Sequence, residues 1–355
     1  MLDGERGAVR HNQPFDRGRP QARPVGFDFI GLPVFYRAMT AVFLDYATVS
    51  YGDLDPAALQ RALPGLILHD LTDDADMAAR LADAETVLLN KSRLNRERMA
   101  LAPRLRLVLV AGTGTDNVDA QAARERGIAV YNVPAYCTRS VAQHAWALIL
   151  GLQQHLLEFR RYCLDGGWGQ DRVTELRAYP IRELAGRTLG VVGWGELGRG
   201  VAAVAGAFGM HVVIANRIGG PAQPGRLDLP ELLRIADVVS LHCPLTPATR
   251  GLIGAAELAL MKPDAILINT ARGGLIDGAA LKAALIEGRI AGAGIDVLPR
   301  EPPVDGDPLL DPGIPNLLLT PHVAWGAREA RQRCIDAMAA NAADFATGGN
   351  RNRVV

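Results

Sequence analysis

The sequence predicts an α/β protein built from two parallel-sheet domains, and three observations carry that expectation. Short β-branched or leucine-rich runs alternate with helical patterns from Met39 onward, the order expected of βαβ units. The runs fall into two series, separated by one long amphipathic stretch. A chain of 355 residues also exceeds one ordinary core, at roughly 100–200 residues per domain, and so suggests two.

The first series contains AVFLDY (41–46), ETVLLN (85–90), RLVLVAG (106–112) and IAVY (128–131), with helices such as Pro56–Leu63 and Val118–Arg126 between them. The amphipathic stretch then runs from Ser140 to about Arg161 and reads as one helix. The second series is TLGVVG (188–193), HVVIA (211–215), DVVSLHC (237–243), AILINT (265–270), AGAGIDV (291–297) and NLLLT (316–320). A last helical pattern from Ala327 to Phe345 places Ile335, Met338 and Ala339 at core spacing. Residues 1–38, rich in Arg, Pro and Gly without an apolar period, read as a disordered tail or an over-long start.

Composition excludes several classes of function. Acidic and basic residues balance at 38 each, and no basic stripe is present to neutralise a run of phosphates, so nucleic acid is not expected as a partner. The longest apolar stretch, Ala145–Leu152, falls well short of the ~20 residues a membrane span needs. The four cysteines, Cys137, Cys163, Cys243 and Cys334, are scattered and form no C-x-x-C pair, as in a reducing compartment. No metal site is expected, because adjacent His242 and Cys243 without a second pair make a poor zinc site. A soluble, cytoplasmic protein follows as the expectation.

One motif is specific in its context. TLGVVGWGELGRG presents G-x-G-x-x-G as Gly193, Gly195 and Gly198, directly after a predicted strand and opening a helix. Gly193 permits the tight turn, Gly195 lets backbone approach a pyrophosphate, and Gly198 lets helix and strand pack closely. Glu196 and Leu197 open that helix, whose N-terminus offers free N–H groups and the positive end of its dipole. The Glu196 side chain should point to solvent. At the end of the next strand, Asn216 stands where an acid ordinarily binds the adenosine ribose of NAD, and Arg217 follows. Loss of the repelling charge, with a cation beside it, predicts a nicotinamide cofactor of either kind, NADPH being used at least as well as NADH.

Three further segments carry polar residues at the carboxyl ends of predicted strands: INTARGG (268–274), GIDVLPREPP (294–303) and LLLTPH (317–322). Through Arg272, Glu301 and His322, and through GTGTDNVD, VPAYCTRSVAQH and SLHCPLTPATRGLI, the chain resembles the D-isomer-specific 2-hydroxyacid dehydrogenases over most of Met39–Val355. FLDYATVSYGDLD, LLNKSRL and PHVAW are most similar to the glycerate dehydrogenases, or hydroxypyruvate reductases, of that family.

The resemblance implies two Rossmann-like domains. A nucleotide-binding domain, 139–322, is inserted in a discontinuous substrate domain, 39–138 with 323–355. It also implies hydride transfer between NAD(P)H and C2 of a small 2-keto or 2-hydroxy acid. The chemistry suits the residue types. His322 is the acid–base, because imidazole ionises near neutrality. Glu301 orients it and stabilises its charged form. Arg272 offers a permanently charged planar fork to the substrate carboxylate. The Cys243–Pro244 turn and Thr249 are implied to line the adenosine and ribose side, Thr270 and Ala271 to approach the nicotinamide, and Asp296 to receive its carboxamide. Gly112, Thr113 and Gly114 resemble the family's backbone loop for the substrate carboxylate, and Lys91 and Trp325 are candidates for shaping the pocket. A homodimer is implied, with the helix after Ser140 near the interface. Nicotinamide-sensing corepressors and phosphoglycerate dehydrogenases share the fold and remain alternatives, whereas formate dehydrogenases place Gln where Glu301 stands.

Overall fold

The computed structural model describes residues 40–170 and 178–355, together with the backbone of two short strands, β1 (Gly26–Phe27) and β2 (Pro33–Val34). These two pair antiparallel, Gly26 opposite Val34. The expectation of a disordered or over-long start for 1–38 otherwise lies outside the described residues.

The first large sheet is formed by β3 (Ala41–Phe43), β4 (Ile67–Leu68), β5 (Thr86–Leu89), β6 (Leu107–Val110) and β7 (Ala129–Tyr131). All pairings are parallel and the order is β4-β3-β5-β6-β7. Helices α1 (Ala57–Ala62), α2 (Asp74–Leu81), α3 (Arg96–Ala100) and α4 (Ala120–Glu125) connect them. The chain then crosses through α5 (Thr138–Gln153), α6 (Leu156–Leu164) and α7 (Gly167–Gln170). The second sheet follows with β8 (Thr188–Val192), α8 (Glu196–Ala205), β9 (His211–Ile214), α9 (Leu229–Ile235), β10 (Val238–Leu241), α10 (Ala255–Leu258), β11 (Ile266–Asn269), α11 (Gly278–Ile286), β12 (Gly292–Ile295) and β13 (Leu317–Leu319). Its order is β13-β12-β11-β10-β8-β9, again all parallel. Helix α12 (Arg328–Ala346) returns to the first sheet, where Cys334, Ile335 and Met338 pack with Phe43, Leu88 and Leu109.

Every strand predicted from the sequence is present within its run. Both sheets are covered on two faces, which is why their central strands are continuously apolar rather than alternating. The second sheet is thus inserted within the chain that builds the first sheet and α12. Two features differ from the sequence reading. Strand β4 was not foreseen, because only Ile67 and Leu68 pair and both lie at the sheet edge. The predicted helix from Ser140 to Arg161 is two helices: Gln154 caps α5, and His155 adopts φ +48°, left-handed backbone that cannot continue a right-handed helix. The His155 ring lies against Tyr179, with centroids 5.9 Å apart.

Candidate active site

Strand order in the second sheet reverses between β8 and β10, which opens a crevice at their carboxyl ends, where open α/β sheets take ligands. The turn after β8 shows why glycines stand there. Gly193 has φ +104°, and a Cβ on it would lie 2.5 Å from the Cys243 nitrogen at the end of β10. A Cβ on Gly198 would come within 2.1 Å of the Gly193 carbonyl oxygen, so α8 starts this close only without a side chain. Gly195, the N-cap of α8, faces open space, since a Cβ there would meet nothing within 4 Å. The Glu196 side chain is exposed and pairs with Arg199 at 3.1 Å, turned away from the crevice, while Leu197 packs toward the core of the first sheet. Just beyond β11 the Thr270 hydroxyl is buried without a hydrogen-bond partner among the described residues, and Ala271 beside it is buried. An open cradle of helix N–H donors and an unpaired buried hydroxyl fit a dinucleotide.

The adenosine side holds two surprises. The Asn216 amide donates to Asp228 Oδ1 at 2.9 Å and accepts from the Gln223 N–H at 2.9 Å, so its polar atoms are already engaged, and a carboxylate stands close by after all. Sequence reasoning missed Asp228, which is distant along the chain and identifiable only as the N-cap residue of α9. Arg217 is exposed, and its guanidinium has no ion pair or hydrogen bond among the described residues. Thr249 differs from the expectation: it is buried and its hydroxyl donates to the Pro244 carbonyl at 2.7 Å while accepting from the Thr246 N–H at 2.8 Å. Its hydroxyl thereby braces the Cys243–Pro244 turn. Burial pushes the Cys243 thiol up to about 11.

The catalytic candidates come together. His322 Nδ1 and Glu301 Oε2 are 2.5 Å apart, and Glu301 Oε1 accepts from the Leu298 N–H at 2.9 Å, which fixes the carboxylate. Burial works to raise the Glu301 carboxyl, but the hydrogen bond and charge of His322, with Leu298 N–H and Lys91, outweigh it and hold the group below the usual carboxylate range. His322 itself has φ +55°. That left-handed backbone is held by its N–H, which donates to the carbonyls of Asp296 at 2.7 Å and Thr320 at 3.0 Å.

Asp296 is the second departure from expectation. It is fully buried, Oδ1 accepts from Thr320 Oγ1 at 2.6 Å and the Val323 N–H at 2.9 Å, and Oδ2 accepts from the Ala324 N–H at 2.9 Å. His144 on α5 adds a contact from its Nε2 to Thr320 Oγ1 at 3.0 Å. The carboxylate is fixed by the loop that carries His322.

Across the cleft, the loop after β6 meets Arg272. A Cβ on Gly114 would fall 1.9 Å from Arg272 Nη2, so this glycine admits the guanidinium. The backbone N–H groups of Thr113 and Gly114 have no acceptor among the described residues, and Gly112 faces open space. Arg272 Nε and Nη2 donate to Asp116 Oδ2 at 3.2 and 3.1 Å. Asp116 went unassigned in the sequence, although it lies two residues beyond Gly114 in the quoted GTGTDNVD. Lys91, exposed, places its Nζ 5.8 Å from the centre of the Trp325 ring, and Trp325 Nε1 donates to the His322 carbonyl at 2.8 Å. Among the described residues, no cluster of three or more His, Cys, Asp or Glu is arranged to hold a metal, and no helix is long and apolar enough to cross a membrane.

This fold and cleft define a nicotinamide-dependent oxidoreductase, and the comparisons agree on the class. Residues 146–324 match the model of the D-isomer specific 2-hydroxyacid dehydrogenase, NAD binding domain, and the chain belongs to that family. It is 42% identical over 279 residues, 79% of this chain and 88% of the relative, to a glycerate dehydrogenase of Methylorubrum extorquens. It is 37% identical over 323 residues, 89% of this chain and 99% of the relative, to a hydroxypyruvate reductase of Blautia hydrogenotrophica. A crystal structure of a Thermus thermophilus protein aligns with TM-score 0.78 and 37% identity, covering 89% of this chain and all of that one. The protein is therefore an NAD(P)-dependent oxidoreductase acting on 2-hydroxy or 2-keto acids.

Proposed function

We propose that the protein reduces small, unbranched 2-keto acids, hydroxypyruvate and glyoxylate above all, to D-glycerate and glycolate. The observation that carries this reading is the 2.5 Å His322–Glu301 pair facing a cleft whose other wall brings Arg272 against Gly114. When bound, the nicotinamide supplies the hydride to C2. Arg272 and the free N–H groups of Thr113 and Gly114 hold the substrate carboxylate, and His322 delivers a proton to the C2 oxygen as charge develops there. Glu301 keeps the imidazole oriented through the 2.5 Å contact to Nδ1. Lobes with limits of 39–138 with 323–355, and 139–322, would close on this cleft and exclude water.

Gly193, Gly195, Glu196, Leu197 and Gly198 are assigned to the pyrophosphate, Cys243 and Pro244 to the adenosine, and Thr270 and Ala271 to the nicotinamide side. NADPH is the cofactor favoured, because the Arg217 guanidinium is free and exposed beside Asn216, although Asp228 sets a negative charge against it. A homodimer is supported by the exposed Leu156, Leu157, Leu164 and Trp168 on α6 and α7, and a cytoplasmic location by four free cysteines. The test is a panel of hydroxypyruvate, glyoxylate, pyruvate and a branched keto acid with each nicotinamide. Hydroxypyruvate and glyoxylate should lead, and a branched acid of equal kcat/KM, or no turnover at all, would reject the reading.

A further inference from the structure

Lys91 is an ammonium that the protein positions but, among the described residues, does not pair. Its loop, at the carboxyl end of β5, is clamped by a carboxylate from the neighbouring strand. Asp45, just beyond β3 and 2% exposed, accepts from three successive backbone N–H groups: Asn90 on Oδ1 at 2.9 Å, then Lys91 at 2.7 Å and Ser92 at 2.6 Å on Oδ2. Asn117 Nδ2 ties the same loop from the far side, donating to the carbonyls of Asn90 at 2.9 Å and Ser92 at 3.1 Å. Asn90 Nδ2 in turn donates to Thr48 Oγ1 at 2.8 Å. Three strand ends of the first sheet are thereby locked together.

Such a lock is more than a lysine at the surface needs for solvation. The side chain leaves it toward the cleft, with Nζ above Trp325, whose indole N–H holds the carbonyl of His322. Nζ has no hydrogen bond or ion pair among the described residues. Desolvation by the flanking protein draws its pKa down, Glu301 opposes that and Arg272 adds to it, so the amine lies in the field of the catalytic groups. A keto acid with its carboxylate on Arg272 and its C2 oxygen at His322 would turn C3 toward the side of Trp325 and Lys91, since Trp325 holds the His322 carbonyl and Lys91 Nζ lies over its ring.

On the reading that this enzyme reduces small 2-keto acids, we propose that Lys91 is its specificity-determining residue. The ammonium donates a hydrogen bond to a hydroxyl oxygen on C3, selecting 3-hydroxy-2-keto acids over those with a bare C3, and Asp45 is the positioning residue that holds Lys91 in place. An ammonium has three donors and no acceptor, and a hydroxyl offers the lone pairs it lacks here.

The experiment compares kcat/KM for hydroxypyruvate and pyruvate in wild type, Lys91→Met and Asp45→Asn, with the better nicotinamide. Lys91→Met keeps the apolar stem, and the hydroxypyruvate-to-pyruvate ratio should fall by about 10- to 100-fold, the worth of a hydrogen bond to a charged group. Asp45→Asn, which has one acceptor oxygen where two are used, should raise the KM for hydroxypyruvate while kcat for pyruvate holds. The proposal is overturned if the ratio in Lys91→Met stays that of wild type, whether both values fall together or neither does. A parallel fall means a general field on carboxylates, not recognition of C3. Wild type inactive on every keto acid would instead reject the function itself, and the proposal with it.

Discussion

His242 follows β10 with its Nδ1 closed to solvent and without a hydrogen-bond partner among the described residues, while Nε2 meets Ser240 Oγ at 2.8 Å. Burial lowers its pKa from 6.5 to about 4, so the folded protein holds this imidazole neutral. An unfolded chain takes up a proton there as pH falls through 6.5, and the folded chain follows only near 4. Stability is therefore full above the unfolded value and drains away across that window. The slope is at most about 1.4 kcal/mol per pH unit for one proton, which gives a loss of roughly 3 kcal/mol at the acid end. His242→Gln removes the titration and leaves every carboxylate in place. Urea denaturation of both proteins between about pH 7 and pH 4.5 should show wild type losing some 2–3 kcal/mol more than the variant. Parallel losses in the two would refute the argument that burial keeps His242 neutral.

Three more outcomes follow from the cleft. His322 Nδ1 lies 2.5 Å from Glu301 Oε2, so the carboxylate holds the imidazole in place. Glu301→Gln should lower kcat for reduction about 10- to 100-fold with the nicotinamide Kd unchanged, and a wild-type kcat would remove Glu301 from the chemistry. Gly198→Ala sets a methyl 2.1 Å from the Gly193 carbonyl oxygen, so α8 must shift. Overpacking of about 1–3 kcal/mol at the cradle should weaken NADPH binding roughly 5- to 100-fold in a fluorescence titration, and a Kd unchanged within error would contradict the close packing. Asn216→Asp adds a second carboxylate beside Asp228 and should swing the NADPH-to-NADH ratio of kcat/KM toward NADH by roughly tenfold or more. Wild type preferring NADH tenfold would already show that Arg217 does not govern the choice.

Much of the fold was legible because parallel strands buried on two faces are written as apolar runs, as in Leu107–Val110 and residues 266–268. Strand β4 escaped since two edge residues carry no such run. The break at His155 escaped because the residues after it, with Leu156, Phe159 and Cys163 at helical spacing, again read as helix. Arg272, Glu301 and His322 could be picked out together since each ends or follows a strand in a recognisable segment. What the sequence withheld was direction. Asp296 and Thr249 lie beside the crevice in the chain yet turn their polar atoms into the supporting loops, and no spacing rule reports which way the residue leaving a strand will face. The same limit hid Asp45, Asp116 and Asp228, whose partners lie in other loops: Asp45 reaches Asn90–Ser92, Asp116 reaches Arg272, and Asp228 reaches Asn216. Acids at or near strand ends and helix caps were the available signal for all three.

The central claim is that His322 is the proton donor for reduction at C2. Single-turnover reduction of hydroxypyruvate by the protein loaded with reduced nicotinamide, in wild type and His322→Gln, tests it most directly. The rate of nicotinamide oxidation should fall by about 10²–10⁴-fold in the variant while the nicotinamide Kd stays at its wild-type value. A His322→Gln protein that oxidises the bound nicotinamide at close to the wild-type rate would contradict the account.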